Sequence, residues 1–120
     1  MHHVGVDIIE IARIEDAVGD WGERFLRRVY APSELELCCG KSSSLAVRFA
    51  GKEAVMKALG TGARIDWKEI EILAHPNGQP FVRLSGKAQA RAAGLGIAGF
   101  SISLSHSREY AVAVAIGETG

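Results

Sequence analysis

The sequence predicts a mixed α+β domain in which mostly antiparallel strands pack around one buried helix. Three observations predict it. Residues 44–59 carry apolar or small side chains on nearly every side of a helical wheel, so a helix there packs all round. Residues 3–9, 70–74, 81–84, 100–106 and 110–116 alternate in character with the period of a strand, and the last four runs pair up across short turns. The 120 residues contain no linker-like or low-complexity tract, which favours a single domain, 1–120.

In the central helix Ser42 to Ser44 offer N-cap oxygens, and Gly60 and Gly62 offer a stop. Leu45, Phe49, Met56 and Leu59 share one stripe, while Val47, Ala50, Ala54, Val55 and Ala58 fill most of the remaining circumference. Arg48 and Lys52 fall on or beside the bulky stripe, where a charge needs a reason. Arg48 either binds an anionic ligand or pairs with a buried carboxylate, since its fork suits both. Glu53 and Lys57, four apart, project together over Ala46 and Ala50. They are either an ordinary ion pair, worth about 0.2–0.5 kcal/mol on an exposed face, or a carboxylate and a cation held for chemistry.

At the start of the chain Val4, Val6 and Ile8 alternate with His3, Gly5, Asp7 and Ile9. An aspartate inside an apolar strand must be paired or bound to a cation if buried; the other reading is a cap for the next helix. Gly5 beside it leaves room for a close approach. Ile11, Ile14 and Val18 then mark a short amphipathic helix with Arg13 on a different side. Asp20 followed by Glu23 reads as a capping box that opens a second helix carrying Arg24, Phe25, Arg27 and Arg28, a cationic cluster around an aromatic ring. Pro32 and Ser33 open a third helix, through Leu35 and Cys38.

Beyond residue 62, the alternation at Ile70, Ile72 and Ala74, the turn Pro76 to Pro80 and the run Phe81 to Leu84 form a hairpin. Ser85 is placed to cap an alanine-rich helix from Gly86 to Ala93. The last third is a second hairpin. Read from alternation, Phe100, Ile102, Leu104, Tyr110, Val112, Val114 and Ile116 make a bulky face, and Ser101, Ser103, Ala111, Ala113 and Ala115 a small one. Both faces suit burial, more than one small domain provides, which implies a subunit interface. His106 precedes the tight turn, as a structural loop histidine or a catalytic one.

With 14 acidic groups balancing 14 basic ones, the chain has no bulk attraction to nucleic acid or anionic membrane. No apolar run approaches the roughly 20 residues of a bilayer span, and the N-terminus opens directly on a strand pattern; a cytoplasmic protein is expected. Cys38 and Cys39 are adjacent, which reads as free, buried or partly buried thiols rather than a disulfide framework. No His/Cys spacing points to zinc.

Three motifs carry a resemblance: GVDIIEIARI (5–14), RFAGKEAVMKALGTG (48–62) and SLSHSREYAVAVA (103–115). In order and spacing they resemble the holo-acyl-carrier-protein synthase type of 4'-phosphopantetheinyl transferase over nearly the whole chain. The resemblance implies transfer of 4'-phosphopantetheine from coenzyme A to a serine of an apo acyl carrier protein, with release of adenosine 3',5'-bisphosphate. It implies Mg2+ held by the matching carboxylates Asp7 and Glu53, a set suited to an ion that demands oxygen ligands. Lys57 matches the lysine facing the pyrophosphate, and Glu53, directly or through a water it polarises, is the candidate base. Coenzyme contacts are expected at Arg48, Gly60 in the Gly60-Thr61-Gly62 loop, Gln79, Pro80, Ser105 and His106. Several of these reach across a subunit boundary in a homotrimer, with the active sites between subunits. Ser107 departs from the acidic residue common after the histidine. The segments holding Arg13, Arg24, Phe25 and Arg28 match those that dock the acidic carrier. The competing class is a noncatalytic trimer that binds a nucleotide or carrier protein, distinguished by whether Asp7, Glu53 and Lys57 occur together.

Overall fold

The computed structural model describes residues 2–60 and 65–120. In chain order the elements are β1 (His2–Glu10), α1 (Ile11–Trp21), α2 (Glu23–Val29), α3 (Pro32–Cys38), α4 (Ser42–Leu59), a 3-10 turn (Trp67–Glu69), β2 (Ile70–Ala74), β3 (Pro80–Leu84), α5 (Gly86–Gly94), β4 (Ile97–His106) and β5 (Tyr110–Thr119). The strands β1, β5 and β4 form an antiparallel sheet in that order, and β2 with β3 forms a separate hairpin. This is the α+β arrangement expected, with α4 laid across the three-stranded sheet against β1 and β5.

The fit of α4 on the sheet depends on small residues. Ala46, Ala50 and Ala54 of the helix are fully buried, as are Ala111, Ala113 and Ala115 of β5 within 1%. Gly5 of β1 lies against the α4 backbone, so close that a β-carbon there would fall 1.8 Å from the Ala54 carbonyl oxygen. The room Gly5 leaves is therefore occupied by the helix itself.

The register of the second hairpin corrects the faces read from alternation. Ile102 pairs with Ala115, Leu104 with Ala113 and His106 with Ala111, whereas Ser101, Ser103 and Ser105 pair with Ile116, Val114 and Val112. Directly opposed residues share a face. Phe100, Ile102 and Leu104 thus join the alanines beneath α4, and Val112, Val114 and Ile116 join the serines on the outer face. Alternation fixes the faces within one strand, but only the ladder fixes them between strands. The outer face continues into β1, where Val4, Val6 and Ile8 are 58%, 54% and 63% exposed.

Helix starts also differ from expectation. The residue before α4 is Lys41, and no serine side chain caps it. Gly22, with φ +53°, separates α1 from α2, so Asp20 ends one helix instead of capping the next. Ser85 makes no side-chain cap to α5; the Glu69 carboxylate accepts from Lys87 N at 2.9 Å instead. Cys38 is buried and Cys39 exposed, both free.

Candidate active site

Asp7 sits in the middle of β1, opposite Ala113, with its side chain on the α4 side of the sheet. It caps no helix. Lys57, in the last turn of α4, donates to Asp7 Oδ1 at 3.0 Å and to the Val6 carbonyl at 2.9 Å. The i,i+4 pairing with Glu53 is thus replaced by a contact across 50 residues, because β1 runs directly beside the helix. An ammonium has three N–H donors, and among the described residues two are taken, which leaves one for a ligand on a side chain that is half exposed.

Glu53, one turn before Lys57, faces the same cleft. Among the described residues none donates a hydrogen bond to its carboxylate. Burial, together with the Asp7 charge, raises its pKa above the usual carboxylate range, and Lys57 opposes the shift. Two carboxylates crowded this way fit a small hard cation, since the ion removes their repulsion and oxygen is the donor it prefers. Among the described residues no group of three or more His, Cys, Asp or Glu side chains is placed to hold a metal, so ligand and water oxygens would complete the shell.

The cleft has a volume of about 450 Å³ and is walled by Asp7, Ile9, Arg13, Phe25, Phe49, Glu53 and Lys57, among others. Phe49, read in the sequence as part of the apolar stripe and not as a site residue, stacks on Trp67 with ring centroids 4.8 Å apart, which stiffens that wall. A second cleft of about 340 Å³ is lined by Trp21, Arg24, Phe25 and Arg28. Phe25 belongs to both, so the cationic face of α1 and α2 runs into the carboxylate site. Trp21, 60% exposed, escaped the sequence reading, and an isolated tryptophan at a helix end carries no periodic signal by which to find it.

The other expected ligand contacts lie elsewhere. Arg48 is buried; its Nε donates to the Ile72 carbonyl at 3.0 Å and its Nη1 to that of Ser44 at 3.3 Å. Among the described residues the guanidinium serves main-chain acceptors and the Cys38 thiol, and no carboxylate pairs with it. Gln79 and Pro80 stand at the tip of the β2–β3 hairpin, whose turn is closed by His75 N to Gln79 O at 2.9 Å and Gln79 N to Asn77 Oδ1 at 3.0 Å. Ser105 is on the outer face of β4, and His106 at its exposed end. With neighbouring strands about 4.8 Å apart, His106 is two strand spacings from β1 and does not wall the Asp7 cleft. Gly60 follows α4 with φ +84° and donates to Lys57 O at 3.2 Å; Thr61 and Gly62 lie outside the described residues.

Residues 3–115 match the 4'-phosphopantetheinyl transferase superfamily. The chain is 52% identical over 118 residues to the holo-[acyl-carrier-protein] synthase of Dehalococcoides mccartyi, covering 98% of this chain and 99% of that one. To the enzyme of the same name from Halothermothrix orenii it is 45% identical, covering 98% and 97%. Among solved structures it superposes on the Helicobacter pylori holo-[acyl-carrier-protein] synthase in complex with coenzyme A with a TM-score of 0.87 at 38% identity, over 96% of this chain and 99% of that one. For the Neisseria meningitidis synthase the TM-score is 0.88 at 31% identity, with 98% of each chain covered. Asp7, Glu53 and Lys57 thus converge on a scaffold shared with those synthases, and the chain belongs to the 4'-phosphopantetheinyl transferase superfamily, among its holo-[acyl-carrier-protein] synthases.

Proposed function

We propose that this chain, acting as a single domain in the cytoplasm, transfers 4'-phosphopantetheine from coenzyme A to a serine of an apo acyl carrier protein. The observation that carries this reading is the meeting of Asp7, Glu53 and Lys57 in one cleft that adjoins an arginine-rich face. The serine oxygen attacks the phosphorus that bears pantetheine, and the bond from that phosphorus to the bridging oxygen breaks, releasing adenosine 3',5'-bisphosphate. Glu53, with its raised pKa, takes the hydroxyl proton directly or through water. Lys57 turns its remaining N–H to the pyrophosphate, neutralises charge that builds on the leaving phosphate and can protonate it. Asp7 and Glu53 would hold Mg2+, which would supply further charge neutralisation when bound. Intact-mass analysis of apo acyl carrier protein incubated with coenzyme A, Mg2+ and this protein should show the phosphopantetheine mass gain; a carrier of unchanged mass would overturn the reading.

Docking is electrostatic and local. A neutral chain attracts an acidic carrier only through a patch, and Arg13, Arg24 and Arg28 around Phe25 form one beside the cleft. Charge reversal by Arg13→Glu with Arg24→Glu should raise KM for the carrier by roughly tenfold or more and leave KM for coenzyme A nearly unchanged. Equal changes in both constants, or none, would remove the patch from the scheme.

Assembly as a homotrimer is part of the same reading. The outer sheet face presents Val4, Val6, Ile8, Val112, Val114 and Ile116, a contiguous apolar area of the kind that marks an interface. In such a ring Gln79, Pro80, Ser105 and His106, which do not wall their own Asp7 cleft, serve the coenzyme in a neighbour's site. Asp7→Ala and His106→Ala chains, each inactive alone, should then complement when unfolded and reassembled together in equal amounts. A site is whole when each side comes from the chain intact there, a chance of ½ × ½ with head-to-tail contacts, so roughly a quarter of wild-type activity should return. An inactive mixture, with mixed trimers seen by native mass spectrometry, would place the site within one chain.

A further inference from the structure

We propose that the buried Glu34–Lys52 ion pair is a positioning device for catalysis, setting the rotation and axial register of α4 so that Glu53 and Lys57 meet Asp7. It rests on the transferase reading for its kinetic consequence, and on geometry for its existence. Both side chains are fully buried, and their charged atoms are 2.6 Å apart. Lys52 directs its ammonium at Glu34 Oε1, the Trp67 carbonyl at 3.0 Å and the Ile70 carbonyl. Glu34 also accepts from Ala31 N at 2.9 Å and from Ile72 N at 3.0 Å. With Arg48 on the Ile72 carbonyl, three charged side chains take up the backbone groups of β2, a strand paired on only one edge.

Toward the sheet α4 is held by Ile102 and Leu104 of β4, by small residues over β1 and β5 and, at its last turn, by the Lys57 bonds to Asp7 and Val6; toward β2 it is held by this network. Ala50, Ala54 and Ala58 meet Gly5 and the alanines of β5, an interface of shallow ridges that allows close approach but opposes slip weakly. Hydrogen bonds are directional, and three of them converge on the buried Lys52 ammonium, so a rotation or shift of α4 weakens them. Lys52 is adjacent to Glu53 in sequence, so a fixed Lys52 aims Glu53 about 100° away around the helix, toward β1. A buried ion pair is weak evidence for stability, since apolar residues of similar size often serve as well. Its presence at this position is accounted for by direction.

The test uses two variants. The double variant Glu34→Gln/Lys52→Met removes both charges at nearly constant volume. Glu34→Asp is the milder of the two, keeping both charges and shortening the arm by one methylene. In whichever variant is folded at the assay temperature by circular dichroism, kcat should fall roughly 10- to 100-fold, as expected for reacting groups misplaced by about 1 Å. KM for the carrier should be unchanged, because α1 and α2 carry its docking face. Mn2+ binding to the protein without substrates, followed by electron paramagnetic resonance, should weaken at unchanged stoichiometry, which a mere loss of folded molecules does not produce. A folded variant with wild-type kcat and Mn2+ affinity would overturn the positioning role. If the wild type transfers nothing, the functional reading fails, and the Mn2+ comparison still decides the positioning role.

Discussion

Glu53→Gln should yield a folded protein that transfers phosphopantetheine at least about a thousandfold more slowly, a loss of roughly 4 kcal/mol in transition-state stabilisation. The amide keeps the size of the side chain but can neither take the serine proton nor balance a divalent cation against Asp7. Stability should move the other way. The raised pKa of Glu53 records that its charged form is disfavoured where burial and Asp7 meet. Its folded pKa lies above its unfolded value, so the unfavourable contribution is absent below the unfolded pKa and complete above the folded one. In chelator, Glu53→Gln should therefore melt at the same or a higher temperature than wild type near pH 7, and the difference should vanish toward pH 4. A folded variant that transfers at the wild-type rate would remove Glu53 from the mechanism. A variant that melts lower at pH 7 than wild type would mean that the glutamate was held by a favourable partner.

Gly5→Ala should damage fold and activity together. The new methyl would sit 1.8 Å from Ala54 O, 2.8 Å from Ala54 C and 2.9 Å from Ala58 N. All three are main-chain atoms of the packed helix α4, so no side-chain rotation can relieve the clash. Either β1 lifts from α4 or the helix shifts, and both separate Asp7 from Glu53 and Lys57. A loss of about 3 kcal/mol or more is expected, the upper part of the range for overpacking, which corresponds to roughly 10 °C or more in Tm. Transfer measured below the lowered Tm should still be depressed, because Asp7 is only two residues from the displaced glycine. A variant with unchanged Tm would show that β1 and α4 can part without loss, and that the closeness of the strand to the helix is incidental.

Local patterns in the sequence carried much of this protein. The all-round apolar character of residues 44–59 marked α4 within two residues, and alternation together with turn residues marked β1, β2, β3 and the C-terminal hairpin. Asp7, Glu53 and Lys57 were legible because a charge on a buried helix or inside an apolar strand is conspicuous, and because they fall within two of the three motifs. Each of these signals comes from residues close together in the chain, where helix and strand periods act directly on side-chain direction.

The tertiary structure decided what depends on distant partners. Lys57 turned to Asp7, and Arg48 and Lys52 turned to β2, since the nearest available acceptor is set by which strand packs beside α4. The sheet register put Val112, Val114 and Ile116 outside and Phe100, Ile102 and Leu104 inside. A strand's alternation does not say how it is offset against its neighbour. The most apolar face of β1, with Val4, Val6 and Ile8, was left uncovered by its own chain, while the face with Gly5 and Asp7 was chosen for the helix. Only a glycine lets two backbones come that close, and that approach puts a carboxylate of the strand beside the charges of the helix.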